Sequence, residues 1–490
     1  MLRQAPVLRA CLSHMPSVMP RLLHMAVFRV PSPVSLLHFC VALPLLAALI
    51  CTVAETDVWG HLRFGLDTME TWKLPARDPY SFTSDRAWIN HEWLAQLSFA
   101  IAYRLMGAIG LIVLKTAVLG GVLLLVSARP QPAVGIAVAG ATLVMWPVLS
   151  QVRPQIYSLL LFTAVIALLD TAPRRLPLWL ATLFALWANL HGGWMLGAVV
   201  VVVWALTNRQ WTTMGVALGA TLCTPYGWRL WEALLRATLE GWREVSEWQP
   251  IYRLVWDVVW WGGIAAACTA ASLFRVRPVP RWLVAATGVV GLSAFRASRL
   301  IAFFGLIVVT AWIPRLTPLR PRVAALPWSR QARVVVLVCL CGAVTMASMI
   351  AKGQTNCVEV VPSLLPESET ATVVRALQGR MLTFFDYGLY AIWQKRPDLL
   401  ISYDGRRETV YSPRIQRRHA RFYSGEDPTY PEKLAVDYVW LPRAAAAVAQ
   451  LQAEGWFTVF QGPRSAILAR RPIMIPAGPA PRLPRCFPAP

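Results

Sequence analysis

The chain alternates long apolar runs with short polar segments between residues 35 and 351. Runs of roughly 15 to 20 apolar residues are typical of helices that cross a membrane. Twelve such segments lie near residues 35–54, 93–106, 109–127, 133–149, 156–170, 176–189, 193–207, 212–225, 256–274, 281–295, 300–314 and 333–351. The pattern predicts a polytopic α-helical membrane protein.

Charge decides how many of these segments cross the membrane. Segment 93–106 is short and contains Arg104. When it is not counted as a crossing, nearly every arginine cluster falls in loops on one side, and basic loops favour the cytoplasm. We therefore predict about eleven crossings within residues 35–351, with the N-terminus in the cytoplasm and the C-terminus outside. Residues 1–34 lack the order of a cleavable signal peptide, so we predict a basic cytoplasmic segment.

The same count places residues 55–93 in the first outer loop. This loop contains several ionisable residues among tryptophans, between two strongly apolar regions. Ionisable groups at a membrane surface lose hydration, so they tend to be functional. The loop is therefore the first candidate for chemistry.

Residues 352–472 have more charge and shorter apolar runs, and strand-like segments alternate with helical ones. This pattern predicts a small extracytoplasmic α/β domain followed by a Pro-rich, irregular tail at 473–490. The segments MLTFFDYGLYAIW, LLISYDGR, VDYVWL, FTVFQ and SAILARR are predicted as strands, and 367–377 and 443–454 as helices. Cys357 and Cys486 lie in this region, where they either form a disulfide or remain free thiols.

Composition supports the membrane class. The chain has 490 residues, of which 56% are hydrophobic and 15% charged, whereas soluble domains are usually about a quarter charged. Its formal charge of +22 comes from basic clusters between spans and is not accompanied by a nucleic-acid-binding motif, so we expect membrane lipids and no nucleic acid as partners. P-loop, GxSxG and HExxH motifs are missing from the sequence, which disfavours ATP-driven machines and the corresponding hydrolases.

Asp57 stands just outside the first predicted span. A carboxylate there acts either as a general base for an acceptor hydroxyl or as a ligand of a divalent metal beside a phosphate, and the choice is left open. The alternative is an interface residue at the end of a helix. The neighbouring His61, Asp78, His91 and Glu92 favour the functional interpretation.

His91 and Glu92 precede the apolar segment at 93–106. The N-terminus of a helix starting there suits a phosphate, although Asn90 or Glu92 equally well caps the helix. His191 lies between apolar segments and precedes two glycines, which allow close approach of backbone or ligand; a hydrogen-bonded neutral histidine is the alternative.

Three arginines on the outer side are exceptions to the charge rule. Arg153, followed by Pro154 and Gln155, suits bidentate binding of a phosphate, or else extends to lipid headgroups. Arg296 and Arg299 share one helical face by their spacing, and are anion-binding candidates. Glu244 and Glu247 lie on one face if their segment is helical. They either supply further carboxylates to the site or form a solvated surface.

The order of motifs resembles bacterial multi-spanning proteins related to the GT-C glycosyltransferase superfamily. The matching segments, spread from about residue 55 to 470, are TDVWGHLRFG, RDPYSFT, WINHEWL, VRPQIYSLLLF, LWANLHGGWMLG, TPYGWRLWE, EVSEWQP, SRLIAFFGLIV, FFDYGLYAIW and SYDGRRETVY. The resemblance implies transfer of a sugar from a polyprenyl-phosphate donor at the outer face of the bacterial inner membrane. It also implies an acidic base or metal contact in the first outer loop, the place of Asp57. Members often have an adjacent Asp-Glu pair there, where this chain has Asp57-Val58.

Our first hypothesis is an inverting glycosyltransferase of the cell envelope, acting on polysaccharide or another acceptor. Asp57 is its base, and Arg153, Arg296 and Arg299 hold the lipid phosphate. The predicted pocket residues are His61, Asp78, His91, Glu92, Gln155 and His191. The alternatives are a non-catalytic protein that binds or presents lipid-linked glycans and a lipid or glycan transporter; the sequence identifies neither the sugar nor the acceptor.

Overall fold

The computed structural model describes residues 49–128, 134–239, 246–275, 278–316, 344, 348, 357–360, 366–367, 369–394, 398–473 and 486–488. The segment 1–34, most of the first predicted span, nearly all of the span at 333–351, Glu244 and most of the tail lie outside the described residues. The elements below belong to one compact unit formed by Leu45–Arg320 and Ala347–Pro490.

Helices dominate the chain up to residue 315. They are α1 (Thr56–Thr71), α2 (Trp93–Ser127), α3 (Val134–Leu149), α4 (Gln155–Thr171), α5 (Leu176–Leu190), α6 (Trp194–Asn208), α7 (Trp211–Ala220), α8 (Trp228–Leu239), α9 (Val255–Leu273), α10 (Arg281–Arg296) and α11 (Ile301–Ile307). A π-helical turn, Val308–Trp312, and a 3₁₀ turn, Ile313–Arg315, extend α11. Most of these helices coincide with the predicted apolar segments. Helix α1 instead lies in the predicted first outer loop, and α8 lies between the predicted apolar segments 212–225 and 256–274.

Helix α2 is bent at Gly107, whose φ of 60° and ψ of −144° are not helical. The bend folds the second arm back so closely that a Cβ on Gly110 would lie 1.9 Å from the Ala102 carbonyl oxygen. The short segment at 93–106 and the longer one at 109–127 are therefore two arms, as the sequence predicts.

Two described helical stretches, Trp93–Ser127 and Ser298–Arg315, are long and apolar enough to cross a membrane. Shorter apolar helices include α4, α5 and α6. The number of crossings stays a prediction, because the bend at Gly107 divides the longer stretch.

The C-terminal region contains a five-stranded mixed sheet of order β4-β3-β5-β7-β6. Its strands are β3 (Gly379–Thr383), β4 (Leu399–Ile401), β5 (Tyr438–Pro442), β6 (Phe457–Gln461) and β7 (Ser465–Ala469). Strand β3 pairs in parallel with β4 and β5, and β7 pairs antiparallel with β5 and β6. The helices of this region are α12 (Glu369–Ala376), α13 (Phe385–Gln394), α14 (Pro413–Tyr423), α15 (Tyr430–Lys433) and α16 (Ala446–Ala453).

One predicted strand is half wrong. The segment MLTFFDYGLYAIW begins in β3 but continues as helix α13. The segment is apolar on nearly every side, so periodicity does not distinguish strand from helix there. Gly388 allows α13 to lie against the backbone after β4, since a Cβ on it would be 2.2 Å from the Tyr403 carbonyl oxygen.

A small parallel pair, β1 (Val53–Ala54) and β2 (Glu359–Val360), leads into α1. Val53 N–H donates to the Ser150 carbonyl at 2.7 Å. The buried Lys115 donates to the carbonyls of Cys51 and Leu149 at 2.5 and 2.7 Å. These bonds fix the start of α1 beside the loop that precedes α4.

A disulfide joins Cys357 to Cys486. The sequence left this pairing open. It ties the residues before β2 to the end of the described chain, where Phe487 N–H donates to the Val358 carbonyl.

Candidate functional site

A cavity of about 680 Å³ lies between the start of α1, the α2 N-terminus, the loop before α4, helices α6 to α8 and the loop after β4. Its polar end receives most of the residues predicted from the sequence. These are Asp57, His61, His91, Glu92, Arg153, Gln155, His191 and Arg299. Loops and helix ends separated by up to 242 positions, from Asp57 to Arg299, therefore meet at one place.

Two arginines and three carboxylates form an ion-pair network at this end. Arg153 Nη2 lies 2.6 Å from Glu55 Oε2 and 2.9 Å from Asp57 Oδ2. Glu247 lies 3.5 Å from Arg153 and 3.4 Å from Arg299. The network joins the start of α1 to the segment before α9.

Burial acts on both kinds of group in this network. It raises the pKa of Glu55, which lies beside Asp57 and Glu247 as well as Arg153. Burial opposes the charge of Arg153, but Asp57 and Glu55 outweigh it and raise the pKa of the guanidinium, which therefore stays a cation. Arg299 also packs over the Trp248 ring, with its guanidinium carbon 5.4 Å from the ring centroid.

Glu92 forms a second polar cluster with three histidines. Its carboxylate oxygens lie 3.6 Å from His91 Nε2, 3.7 Å from His191 Nε2 and 3.8 Å from His61 Nδ1. Burial lowers the pKa of His61, and that of His191 to about 3, so both rings are neutral at pH 7. Burial opposes the charge of Glu92, but electrostatic interactions, of which that with His91 is the largest, outweigh it and lower the pKa of this carboxyl.

Two of the predicted residues do not line the cavity. The side chain of Asp78 is fully buried and accepts two hydrogen bonds from Arg406, at 2.7 and 2.8 Å. Arg296 ends α10 and is exposed. It does not share a helical face with Arg299, because Ala297 is extended between them.

Arg406 is the main residue that the sequence analysis missed. It lines the cavity, binds Asp78 and Asp404, and lies within 5.2 Å of the ring centroids of Phe64, Tyr80 and Trp88. The arginine thus joins the loop after β4 to the segment that was predicted as the first outer loop. Asp78 lies in the RDP motif and Arg406 in the SYDGRR motif. The two residues are 328 positions apart, so the sequence alone does not indicate that they pair.

Gly405 brings the same loop against Asp57. A Cβ at this position would lie 3.0 Å from Asp57 Oδ1 and 2.7 Å from the Leu389 side chain. Only glycine, which has no side chain, fits at position 405 without a clash. The loop can therefore lie directly against one side of the Asp57 carboxylate. Glu55 is another member of the site that the sequence did not single out. Glu247, which the sequence offered as a further carboxylate or as part of a solvated surface, lies in the ion-pair network.

The opposite end of the cavity is apolar. Helix α6 contributes a wall from Trp194 to Val203, which is about 13 Å long at 1.5 Å per residue. Leu218 of α7 and Leu234 of α8 complete the wall. Val199 and Leu235 are partly exposed, so this arm opens to the side of the helices.

The described residues contain no group of three or more His, Cys, Asp or Glu arranged to hold a metal ion.

No protein-family model matches the chain, and no curated protein matches it. Solved structures do. ArnT from Cupriavidus metallidurans bound to undecaprenyl phosphate matches with a TM-score of 0.51 at 12% identity, over 89% of this chain and 97% of that one. The archaeal oligosaccharyltransferase AglB from Archaeoglobus fulgidus, in complex with an inhibitory peptide and a dolichol-phosphate, matches with a TM-score of 0.53 at 11% identity, over 83% and 69%. The chain therefore has a fold similar to those of ArnT and AglB, in agreement with the fold that the resemblance of its motifs implies.

Proposed function

We propose that this protein is a membrane glycosyltransferase that moves a sugar from a polyprenyl-phosphate donor to an acceptor at the outer face of the bacterial inner membrane. One observation carries the proposal: a single cavity joins a carboxylate–arginine end to an apolar arm. A polyprenyl-phosphate sugar has the same division, with a polar head and a long apolar tail. The lipids named in the two comparison structures, undecaprenyl phosphate and dolichol-phosphate, have this chemistry as well.

Arg299 is the best-placed group to receive the donor phosphate. Its carboxylate partner, Glu247, lies 3.4 Å away and is partly exposed, so a phosphate can displace it into solvent. Arg153 is held more tightly, by Glu55 and Asp57. The fixed guanidinium groups then stabilise the charge that collects on the phosphate as it leaves.

Asp57 is the proposed general base. The acceptor hydroxyl oxygen attacks the anomeric carbon while its proton passes to the Asp57 carboxylate. The bond between the anomeric carbon and the phosphate oxygen breaks, and polyprenyl phosphate leaves with the electron pair. One displacement inverts the anomeric configuration.

The membrane location rests on surface chemistry. Val255, Trp256 and Val259 of α9 are more than half exposed, as lipid-facing side chains of a spanning helix are. The cytoplasmic N-terminus, the eleven crossings and the extracytoplasmic C-terminal domain are parts of the same proposal, supported by the arginine distribution.

The first test measures binding of undecaprenyl phosphate to the purified full chain in detergent or nanodiscs. We expect Arg299→Gln to weaken binding about tenfold or more, since a charge-assisted hydrogen bond contributes about 1.5–3 kcal/mol. Arg296→Gln is the matched control, because this neighbouring arginine lies outside the cavity. Equal effects of the two substitutions contradict the proposed phosphate site.

The second test compares glycan products in membranes that contain wild-type protein or Asp57→Asn. We expect loss of product in the variant at equal protein level and unchanged binding of undecaprenyl phosphate. If Asp57→Asn forms as much product as the wild type, Asp57 is not the general base. Binding without transfer in the wild type favours a protein that binds or presents lipid-linked glycans.

A further inference from the structure

The ring of His191 is fixed by three groups on its Nδ1 side. Gly193 N–H donates to Nδ1 at 3.0 Å, and Ser158 Oγ lies 2.7 Å from the same atom. Trp187 Nε1–H in turn donates to Ser158 Oγ at 2.7 Å. Ser158 and Trp187 are fully buried, so these contacts are shielded from water.

These contacts determine where the imidazole proton is. A backbone N–H is only a donor, so Nδ1 must be the unprotonated acceptor. Ser158 already accepts from Trp187 and gives its own hydroxyl proton to Nδ1. The neutral ring therefore carries its proton on Nε2, the atom that faces Glu92.

The ring stays in this state at neutral pH because burial lowers its pKa to about 3. The charged and titratable groups that act on it are Glu92, Arg299, His91 and His61. Of these, the Glu92 carboxylate is the one that favours protonation, and burial outweighs it.

Glu92 is an acceptor without a donor at hydrogen-bond distance among the described residues. His191 Nε2 is 3.7 Å from Glu92 Oε1, and the other two histidines are 3.6 and 3.8 Å from the carboxylate, all beyond a direct bond. A ligand oxygen about 2.8 Å from both His191 Nε2 and Glu92 Oε1 bridges this gap. Such an oxygen has to accept a hydrogen bond from Nε2–H and donate one to Oε1. A hydroxyl does both. An ionised phosphate oxygen has no proton to give and is repelled by the carboxylate.

We propose that His191, held as the Nε2–H tautomer by Ser158 and Gly193, forms with Glu92 a donor–acceptor pair that binds a hydroxyl of the sugar carried by the donor. The proposal rests on the proposed function, because it requires a sugar-bearing ligand in this cavity. It assigns the end of the cavity at the α2 N-terminus to the sugar and leaves the phosphate to the arginines. Ser158 is then a positioning residue, and Gly193 leaves it room, since a Cβ there would lie 2.4 Å from Ser158 Oγ.

The tautomer is tested without any ligand. The full chain, which contains seven histidines, is labelled with ¹⁵N-histidine in lipid, and the His191 signals are assigned by their loss in His191→Gln. We expect a protonated Nε2 and an unprotonated Nδ1, unchanged between pH 5 and pH 8, and a perturbed Nδ1 signal in Ser158→Ala. A protonated Nδ1, an imidazolium at pH 7, or loss of the Nε2 proton on adding Zn²⁺ or Mn²⁺ overturns the proposal.

The hydroxyl contact is tested with two lipids, undecaprenyl phosphate and the same lipid phosphate carrying a hexose. We expect His191→Leu to weaken binding of the glycosylated lipid about 5- to 10-fold and to leave the bare lipid unchanged, as for one lost hydrogen bond. His191→Gln places an N–H near the position of Nε2 and should retain most of the affinity, which controls for loss of ring packing.

The two proposals fail in different ways. If His191→Leu weakens binding of both lipids equally, or leaves the preference for the glycosylated over the bare lipid unchanged, the hydroxyl contact is overturned while the lipid-phosphate site stands. Failure of the wild type to bind either lipid overturns the proposed function and the sugar contact with it, whatever the tautomer.

Discussion

His419 is a buried histidine in the C-terminal region, and its surroundings keep it neutral. It lies on α14 with no exposed surface, stacks on Tyr403 and faces the Tyr430 ring edge-on. Its Nδ1 lies 3.0 Å from the Ile415 carbonyl and its Nε2 lies 2.9 Å from Ser402 Oγ. The ring therefore donates from Nδ1 and accepts at Nε2.

Burial lowers the pKa of His419 from 6.5 to about 4, which predicts a pH-dependent stability. The unfolded chain binds a proton below about pH 6.5 that the folded chain excludes until about pH 4. Stability is thus lost as pH falls through this window, by up to about 3 kcal/mol. Unfolding of wild type and His419→Gln is compared at pH 7.5 and pH 4.5. His61 and His191 titrate in both proteins, so the prediction concerns the difference between the two proteins. We expect the free energy of unfolding to fall less between pH 7.5 and pH 4.5 in His419→Gln than in the wild type, and an equal fall in both contradicts the prediction.

Some residues of the site can be predicted from the sequence, and others cannot. Asp57 and Glu92 stand out because carboxylates beside an apolar span are costly unless they have partners. Arg406 does not stand out, because it lies in a polar segment rich in arginine. Its partner Asp78 was consequently assigned to the pocket, although the pair serves to join two segments of the chain.

Helices α1 and α2 cross closely next to the site, and Gly65 makes the crossing possible. A Cβ on Gly65 would lie 2.0 Å from the Gln96 carbonyl oxygen, a backbone atom that cannot rotate away. Gln96 lines the cavity beside His61, with its Nε2 3.4 Å from His61 Nδ1. The separation of the two helices therefore sets the distance between His61 and Glu92.

We expect Gly65→Ala to force the helices apart and to lower the free energy of unfolding by about 1–3 kcal/mol. Donor binding should weaken at the same time. Gly120→Ala is the control, since it is in α2 with no atom within 4 Å of the added Cβ, and it should be neutral or slightly stabilising. Both variants are compared by thermal unfolding, and equal midpoints would count against this packing role.

The elements that sequence predicts best are those with one dominant signal. Apolar runs such as Gln155–Thr171 and Arg281–Arg296 are located within a few residues, since hydrophobic burial decides them. Helix α8 was missed because its apolar residues alternate with Arg229, Glu232 and Arg236, so the total hydropathy is low. Helix α14 was missed for the same reason, because its arginines outnumber the buried His419 and Phe422.

At the scale of the whole molecule, the chain end returns to the start of the site. Phe487 packs against Trp59 and Trp393, with ring centroids 5.1 and 5.9 Å apart, and Trp59 Nε1–H donates to the Pro488 carbonyl at 3.1 Å. Trp59 follows Asp57 by two residues in α1. The Cys357–Cys486 disulfide keeps this end in place, and disulfides persist in oxidising compartments, which supports the proposed extracytoplasmic C-terminal region.

The disulfide closes a loop of 129 residues, so its loss should be costly to the folded state. In the chain-entropy description, removing a cross-link over such a loop destabilises by about 2–5 kcal/mol, because the unfolded chain regains freedom. We expect the double variant Cys357→Ser, Cys486→Ser to unfold at lower temperature and to bind undecaprenyl phosphate more weakly, since Trp59 and the start of α1 lose their cover. Cys268→Ser, at a free cysteine of α9, should behave like the wild type. Dithiothreitol should lower the wild-type midpoint to that of the double variant and leave the double variant unchanged. An equal shift in both proteins would mean that the reductant acts elsewhere and that the chain end is held by packing alone.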